Sequence, residues 1–309
     1  MSYEKFEQLK LENPEWLIKD FAKALDKSER SILRYSKRFK ESINTDSSSK
    51  VIVETPKILV LDIETNLCVF YAWHTGQQYI GPDQIIKPSS VICWAAKWLY
   101  DSKVYSAKVS GTEAYNREDK SIIERLWSLI DKADIIVGHN LAVFDDKKIS
   151  ARFLLNNLPK PSPYQIIDTL KITRKNFGMG LESHKLDYLS QRLHNKQKLE
   201  SGYHLWKEAS EGSDKAIKKL DKYCRGDILL TEELLIALKP WLSGINFSSY
   251  VDTDKMICPN PLCGSENITY CGKYRTAINS YSAFRCNDCQ TIGRVSQADN
   301  NSKNKLRIT

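Results

Sequence analysis

Apolar and polar positions divide the chain into three stretches with different rhythms. The middle one, from about Lys57 to Leu242, alternates short β-prone runs with longer stripes at helical spacing. "KILVLDIET", Lys57 to Thr65, sets five apolar residues among its first seven, as in a strand buried on both faces. "SVICWAAKWLY" and "KVYSAKVS" read as two more strands, joined by a tight turn at Asp101-Ser102. "SIIERLWSLIDKA" then places Ile122, Ile123, Leu126, Leu129 and Ile130 on one helical stripe, and "DIIVGHN" follows as another strand. A helix from about Phe144 to Leu155, a short strand at "YQIIDT" and mostly helical sequence complete the stretch. Three strands followed by helix, strand, helix, strand predict an α/β domain over 57–245: a mixed β-sheet flanked by helices.

The first stretch is helical. Pro14 suits a helix start, Trp16, Leu17, Phe21 and Leu25 recur at helical spacing, and Ser28 is a fitting N-cap for a second helix carrying Ile32, Leu33 and Tyr35. Two short helices joined by "DKS" predict a helix-turn-helix-like head over residues 1–42, and the serine-rich run after it makes 43–56 a linker. The last stretch is different again. Residues 252–295 have few aliphatic side chains and cannot build much of a core alone, and 296–309 form a polar tail.

Composition narrows the class. At 309 residues and 41% hydrophobic the chain can bury a full core. No apolar run approaches the roughly 20 residues that span a bilayer, and "MSYEKFEQLKLENPEW" lacks the apolar centre of a signal peptide, so the cytoplasm, without a membrane partner, is the expected location. The net charge of +8 is uneven: within "KSERSILRYSKRFK" six basic residues face Glu29 alone, leaving +5 in fourteen residues. Arg30, Arg34, Lys37 and Arg38 are therefore candidate nucleic-acid contacts, the second helix entering a major groove. A basic helical cap that only packs on its neighbour is the plainer alternative.

Two acids stand at the end of the first strand. Side chains alternate faces along a strand, so Asp62 and Glu64 point to one side and Ile63 to the other. Carboxylates that close cannot both stay ionised unless a cation neutralises them, so one is protonated or a divalent metal is held. Solvated strand ends also carry such pairs, and the motif alone decides nothing. "GHNLAVFDDKK" adds Asn140 at a strand end and Asp145 at a helix start, and "LDKYCRGDILLTEELL" sets Tyr223 and Asp227 four apart on one helix face.

D-x-E in "LDIET", N-x3-F-D in "NLAVFD" and Y-x3-D in "YCRGD", in that order, resemble the three motifs of the DEDD exonucleases, tyrosine subtype. "WAAKWL", "ADIIVGHN", "IDTLK", "HKLDYLS" and "LLIALKPWL" are similar to phage-type members of this group, which often carry a C-terminal zinc ribbon. The resemblance implies a ribonuclease H-like fold in which Asp62, Glu64, Asp145 and Asp227 hold two Mg²⁺ or Mn²⁺ ions and Tyr223 orients the attacking water. Phosphodiester cleavage suits such a pair of metals, which stabilise both attacking and leaving oxygens. Asn140 becomes a substrate contact, while Asp146, turned about 100° from Asp145 on the helix, and Asp168 are competing acids expected to be structural.

Cysteines complete the reading. Cys258 and Cys263 are paired, as are Cys286 and Cys289, with 22 residues between the pairs, which suits one tetrahedral structural Zn²⁺ on two hairpins. Cys271 is a rival ligand, and Cys68, Cys93 and Cys224 read as small buried residues. Lys273 and Arg275, among tyrosines, are further candidate nucleic-acid contacts. The expected activity is 3′ to 5′ exonucleolysis of single-stranded DNA, with DNA ahead of RNA as partner and replication or recombination proteins as further candidates. An exoribonuclease, a structure-specific endonuclease and a non-catalytic DNA-binding regulator are the alternatives. Trp94, Trp98, Trp127 and Trp206 fall in apolar runs and are expected in the core.

Overall fold

The computed structural model describes residues 2–12, 18–32, 34–36, 55–196, 202–251, 255–276 and 278–299. The chain divides into two units, Met1–Val53 and Glu54–Thr309. In the first, helices α1 (Ser2–Glu12) and α2 (Ile18–Leu25) contribute Phe6 and Phe21, and Ile32 from the helical residues 29–32 closes a small buried cluster. Ser28 begins that last helix: its carbonyl accepts the amides of Ser31 and Ile32, and its hydroxyl accepts from Ser31 at 3.4 Å. Arg30 and Arg34 are exposed. Lys37, Arg38, Trp16, Leu17, Leu33 and most of the expected linker lie outside the described residues.

The larger unit is mixed α/β, its central sheet partly parallel and flanked by helices. The run at Ile58–Thr65 forms its central strand, β1. On one side β1 pairs antiparallel with β4 (Val91–Trp98), and β4 with β5 (Val104–Lys108). On the other it pairs parallel with β6 (Ile135–Gly138), and β6 with β7 (Gln165–Asp168). Leu59, Val60, Ile92, Ile135 and Val137 are wholly buried, as β-prone apolar runs require when helices cover both faces. Those helices are α3 (Gly111–Asn116), α4 (Lys120–Ile130), α5 (Asp145–Leu155), α6 (Thr169–Phe177), α7 (Leu186–His194), α8 (Tyr203–Ser210) and α9 (Asp214–Ala237). The stripe read from sequence in α4 is buried at Ile122, Ile123, Leu126 and Ile130.

Helix α9 fixes the site. It starts at Ser213, whose side chain accepts the Ala216 amide, and runs 24 residues because it has two apolar faces. Ile217, Leu220, Cys224 and Ile228 pack on the sheet, while Leu230 and Leu234 meet Leu186 and Leu189 of α7. Lys97 of β4 and Glu232 of α9 form a buried ion pair between these layers.

Three features differ from the expected pattern. The β4–β5 turn is longer than two residues: pairing ends at Lys97 and Val104, and Tyr100, with φ of 66°, makes the bend. Residues after β1 leave the sheet in an arm holding β2 (Val69–Phe70) and β3 (Ile85–Lys87), with Tyr71, Trp73 and Tyr79 exposed. Its roots are clamped by Arg117, whose guanidinium donates to the carbonyls of Leu67 and Pro88 as well as to Ala114 and Ser210. Cys68 lies in this arm and is exposed, not buried, because no layer covers it.

Strands β8 (Ile268–Arg275), β9 (Ser280–Cys286) and β10 (Ile292–Arg294) form a separate antiparallel sheet beside the cysteine cluster. It meets the rest of the unit where the Phe247 amide donates to the Pro259 carbonyl and the Asn260 side chain to the Lys239 carbonyl. Among the described residues no helix is long and apolar enough to cross a membrane.

Candidate metal centres

Asp62 and Glu64 lie on one face of β1, opposite Ala95 and Cys93 of β4, and Ile63 is buried on the other. The small partners leave room above the acids, and α9 crosses that space. It brings Asp227 to them, so that carboxylate oxygens of Asp62, Glu64 and Asp227 lie within 4.8 Å of one another. Asp145 enters from the first turn of α5; its Oδ1 accepts the Ile63 amide at 3.2 Å, which places it beside this trio but outside the 4.8 Å group. Gly138 permits that approach, since a Cβ there would meet the Leu141 Cβ at 2.8 Å and the Leu61 carbonyl at 3.0 Å.

Two groups holding this cluster were not legible as such. Trp206 is half-buried on α8, and its indole Nε1 donates to Glu64 Oε2 at 2.9 Å. Its ring stands edge-on to Tyr223, with centroids 5.8 Å apart at 82°. Cys224 is wholly buried as expected, but its thiol also donates to Asp62, 3.3 Å from Oδ2. Asp146 turns away and accepts the Tyr164 hydroxyl at 2.7 Å. Asp168 accepts the amides of Asn140, Ala142 and Leu170, fixing the strand-to-helix loop.

Tyr223 and Asn140 border a cleft of about 550 Å³, also lined by His139, Arg174, His184 and Lys185. That volume lies within the range of about 300–1,000 Å³ found for small-ligand sites. Asn140 is left-handed, with φ of 70°.

Burial first, then Asp145, Glu64 and Asp227, hold the Asp62 carboxyl well above its ordinary range, against the opposing pull of the Cys224 thiol. Asp145 is pushed up to about 7, by burial first and against the Ile63 amide. The fold therefore favours protonated acids. The contribution of Asp145 to stability is complete below the ordinary value of 3.8 and is lost as pH rises through about 7, and that of Asp62 is lost in the same direction. Without divalent cations the melting temperature should fall between about pH 4 and about pH 7, and Mg²⁺ or Mn²⁺ should raise it at the upper end only. Calorimetry across that range checks this; a cation effect of equal size at both ends would count against these acids as the binding site.

The second centre is sulfur. Cys258, Cys263, Cys286 and Cys289 present Sγ atoms within 4.8 Å of one another. The Cys258–Cys289 separation is 3.6 Å and Cys263–Cys286 is 3.7 Å. A tetrahedron with Zn–S bonds of about 2.3 Å has edges of about 3.7–3.8 Å, so the four thiols fit zinc. Cys271 is exposed on β8 and outside the group. Cys258 and Cys263 stand on a turn rather than a hairpin, and Gly264 directly after it has φ of 66°, where a Cβ would strike the Phe247 ring at 2.3 Å. Lys273 is ion-paired to Asp299 at 3.1 Å, and Arg275 is exposed.

Comparison with known protein families gives no match, and no curated protein matches. Among solved structures, the family B DNA polymerase of the hyperthermophilic archaeon Pyrobaculum calidifontis is similar at 17% identity and a TM-score of 0.44, over 60% of this chain and 25% of the polymerase. The matched part of the chain thus spans about a quarter of that polymerase's length.

Proposed function

We propose that the chain is a ribonuclease H-like nuclease of the DEDD group, tyrosine subtype, removing nucleotides from the 3′ ends of single-stranded DNA. The observation that carries this reading is the convergence of Asp62 and Glu64 of β1 with Asp227 of α9, beside Asp145. Residues 57–245 would form the catalytic domain, with the head, 1–42, and the zinc ribbon, 252–295, as substrate-holding parts.

Two Mg²⁺ or Mn²⁺ ions held by these acids would supply charge neutralisation and an activated water. The remaining work falls to the chain. Tyr223, one turn before Asp227, would orient that water through its hydroxyl. The adjoining cleft receives the terminal nucleotide, with Asn140 at its edge. Trp206 is a positioning residue. It holds Glu64 through the indole hydrogen bond, while its ring stands edge-on to Tyr223.

A time course on 5′-labelled single-stranded DNA and RNA with Mg²⁺, Mn²⁺ or chelator tests the reading. A metal-dependent ladder shortening from the 3′ end is expected, faster on DNA, with closed single-stranded circles untouched; cleavage of circles would make it an endonuclease. Trp206→Phe keeps the ring and removes the donor. A hydrogen bond to a charged group is worth about 1.5–3 kcal/mol, so kcat/KM should fall about tenfold to a hundredfold, together with Mn²⁺ affinity. Unchanged Mn²⁺ binding would limit Trp206 to packing.

A further inference from the structure

The cleft beside Tyr223 is bounded by α6, and a second depression of about 420 Å³ lies along the neighbouring face of that helix, lined by Ala142, Lys171 and Lys175. Lys175, Leu242 and Ser243 border both this depression and a third, of about 520 Å³, which reaches Arg285, Gln290 and Ile292 on the cysteine ribbon. Resting on the nuclease reading above, we propose that the three depressions form one track for the substrate strand's phosphodiester backbone, leading from the acids across α6 to the outer face of the ribbon.

Charge carries the argument. Lys171, Arg174, Lys175 and Arg285 are all exposed, and among the described residues none forms an ion pair with an acid. The partners they do have are neutral: Lys175 reaches the Ser243 hydroxyl at 3.0 Å, and Arg285 the Gln290 side chain at 3.4 Å. Asp168 borders the second depression, but both its oxygens already accept backbone amides. Asp187, exposed at the start of α7, also lines the first depression, but with Lys185 the cations along the three depressions number five against these two acids, and such an excess of positive charge attracts a polyanion. Lys273, by contrast, is satisfied by Asp299, and the ribbon's contribution to the track is Arg285, which lines the third depression.

The groove also offers a surface for bases. Trp241 is 45% exposed in the third depression, held edge-on by Phe177 with centroids 5.4 Å apart, and Ile292 beside it is 58% exposed. Basic side chains interleaved with an exposed aromatic are the chemistry of single-strand binding, in which bases stack without regard to sequence.

The test is a triple variant, Lys171→Ala, Lys175→Ala and Arg285→Ala, in the full chain. Binding of labelled single-stranded DNA and RNA of roughly 20 nucleotides is followed by anisotropy, with chelator present, over a range of salt. Each lost phosphate contact lowers the slope of log affinity against log salt by about 0.7, so the slope should become shallower by about 2 and affinity should drop at least about tenfold. A control removing equal charge elsewhere, Lys120→Ala, Lys132→Ala and Lys218→Ala, should leave the slope as in the natural chain. If the natural chain degrades ends but the triple variant binds as it does, or the control weakens binding equally, the track is wrong and the groove serves another macromolecule. If the natural chain degrades no nucleic acid under any metal, the nuclease reading itself falls, and the track with it.

Discussion

Replacing Asp62 or Asp227 with alanine should abolish the proposed metal-dependent degradation of single-stranded ends, lowering it at least about a thousandfold. Charge stabilisation by a bound divalent ion is worth several kcal/mol, and each 1.36 kcal/mol is a factor of ten in rate. The same change at Asp62 has the opposite effect on the fold. Asp62 is repelled by three neighbouring carboxylates in a water-poor space, so its removal relieves strain in the metal-free chain. Asp62→Ala should therefore melt higher than the natural chain in chelator near neutral pH, while losing the rise in melting temperature that Mn²⁺ gives. A site whose side chains oppose folding but are required for turnover is a functional site. Retention of more than about a tenth of the activity in both variants would remove these acids from the chemistry.

The second large effect concerns the ribbon. The purified chain should carry one zinc per molecule by elemental analysis, and Cys258→Ala or Cys286→Ala should lose it. Structural zinc in small peptides binds with about 10–16 kcal/mol of apparent free energy, which is folding free energy for a ribbon with so small a core. The buried cluster there consists of Cys258, Cys286 and Cys289 themselves, and few apolar side chains join it. Without metal, proteolysis should attack beyond about Tyr250 and spare the body, whose own core runs through β1, β4, β6 and α9. An intact, protease-resistant ribbon in the zinc-free variant would mean that packing, not metal, holds it.

How much of this could be read from the chain depended on periodicity. The run at Ile58–Thr65 announced its burial and the common face of its two acids, because strand alternation is local. Tyr223 and Asp227 shared a helix face for the same reason. The longer β4–β5 turn escaped notice because its bend rests on Tyr100, a residue without turn chemistry. The arm between Leu67 and Pro88 has no buried face and so left no pattern. Trp206 looks like core in the sequence because an aromatic in an apolar run usually is; its partner Glu64 is 142 residues away, and only the packing of α8 joins them. The basic track has the same character, since its cations come from α6 and β9, far apart in sequence.

Arg117 has a consequence for tolerance to change. One guanidinium grips Leu67 and Pro88 together, and both roots are also tied to neighbours: the Leu67 amide donates to Ser210, and the Asn66 side chain to Ser90. Whatever lies between two such fixed points is mechanically isolated from β1. The arm should therefore behave as a cassette: exchanging it for a shorter loop or an appended peptide should leave Asp62 and Glu64 in place. It is the natural place in this chain to insert a reporter or a second binding module.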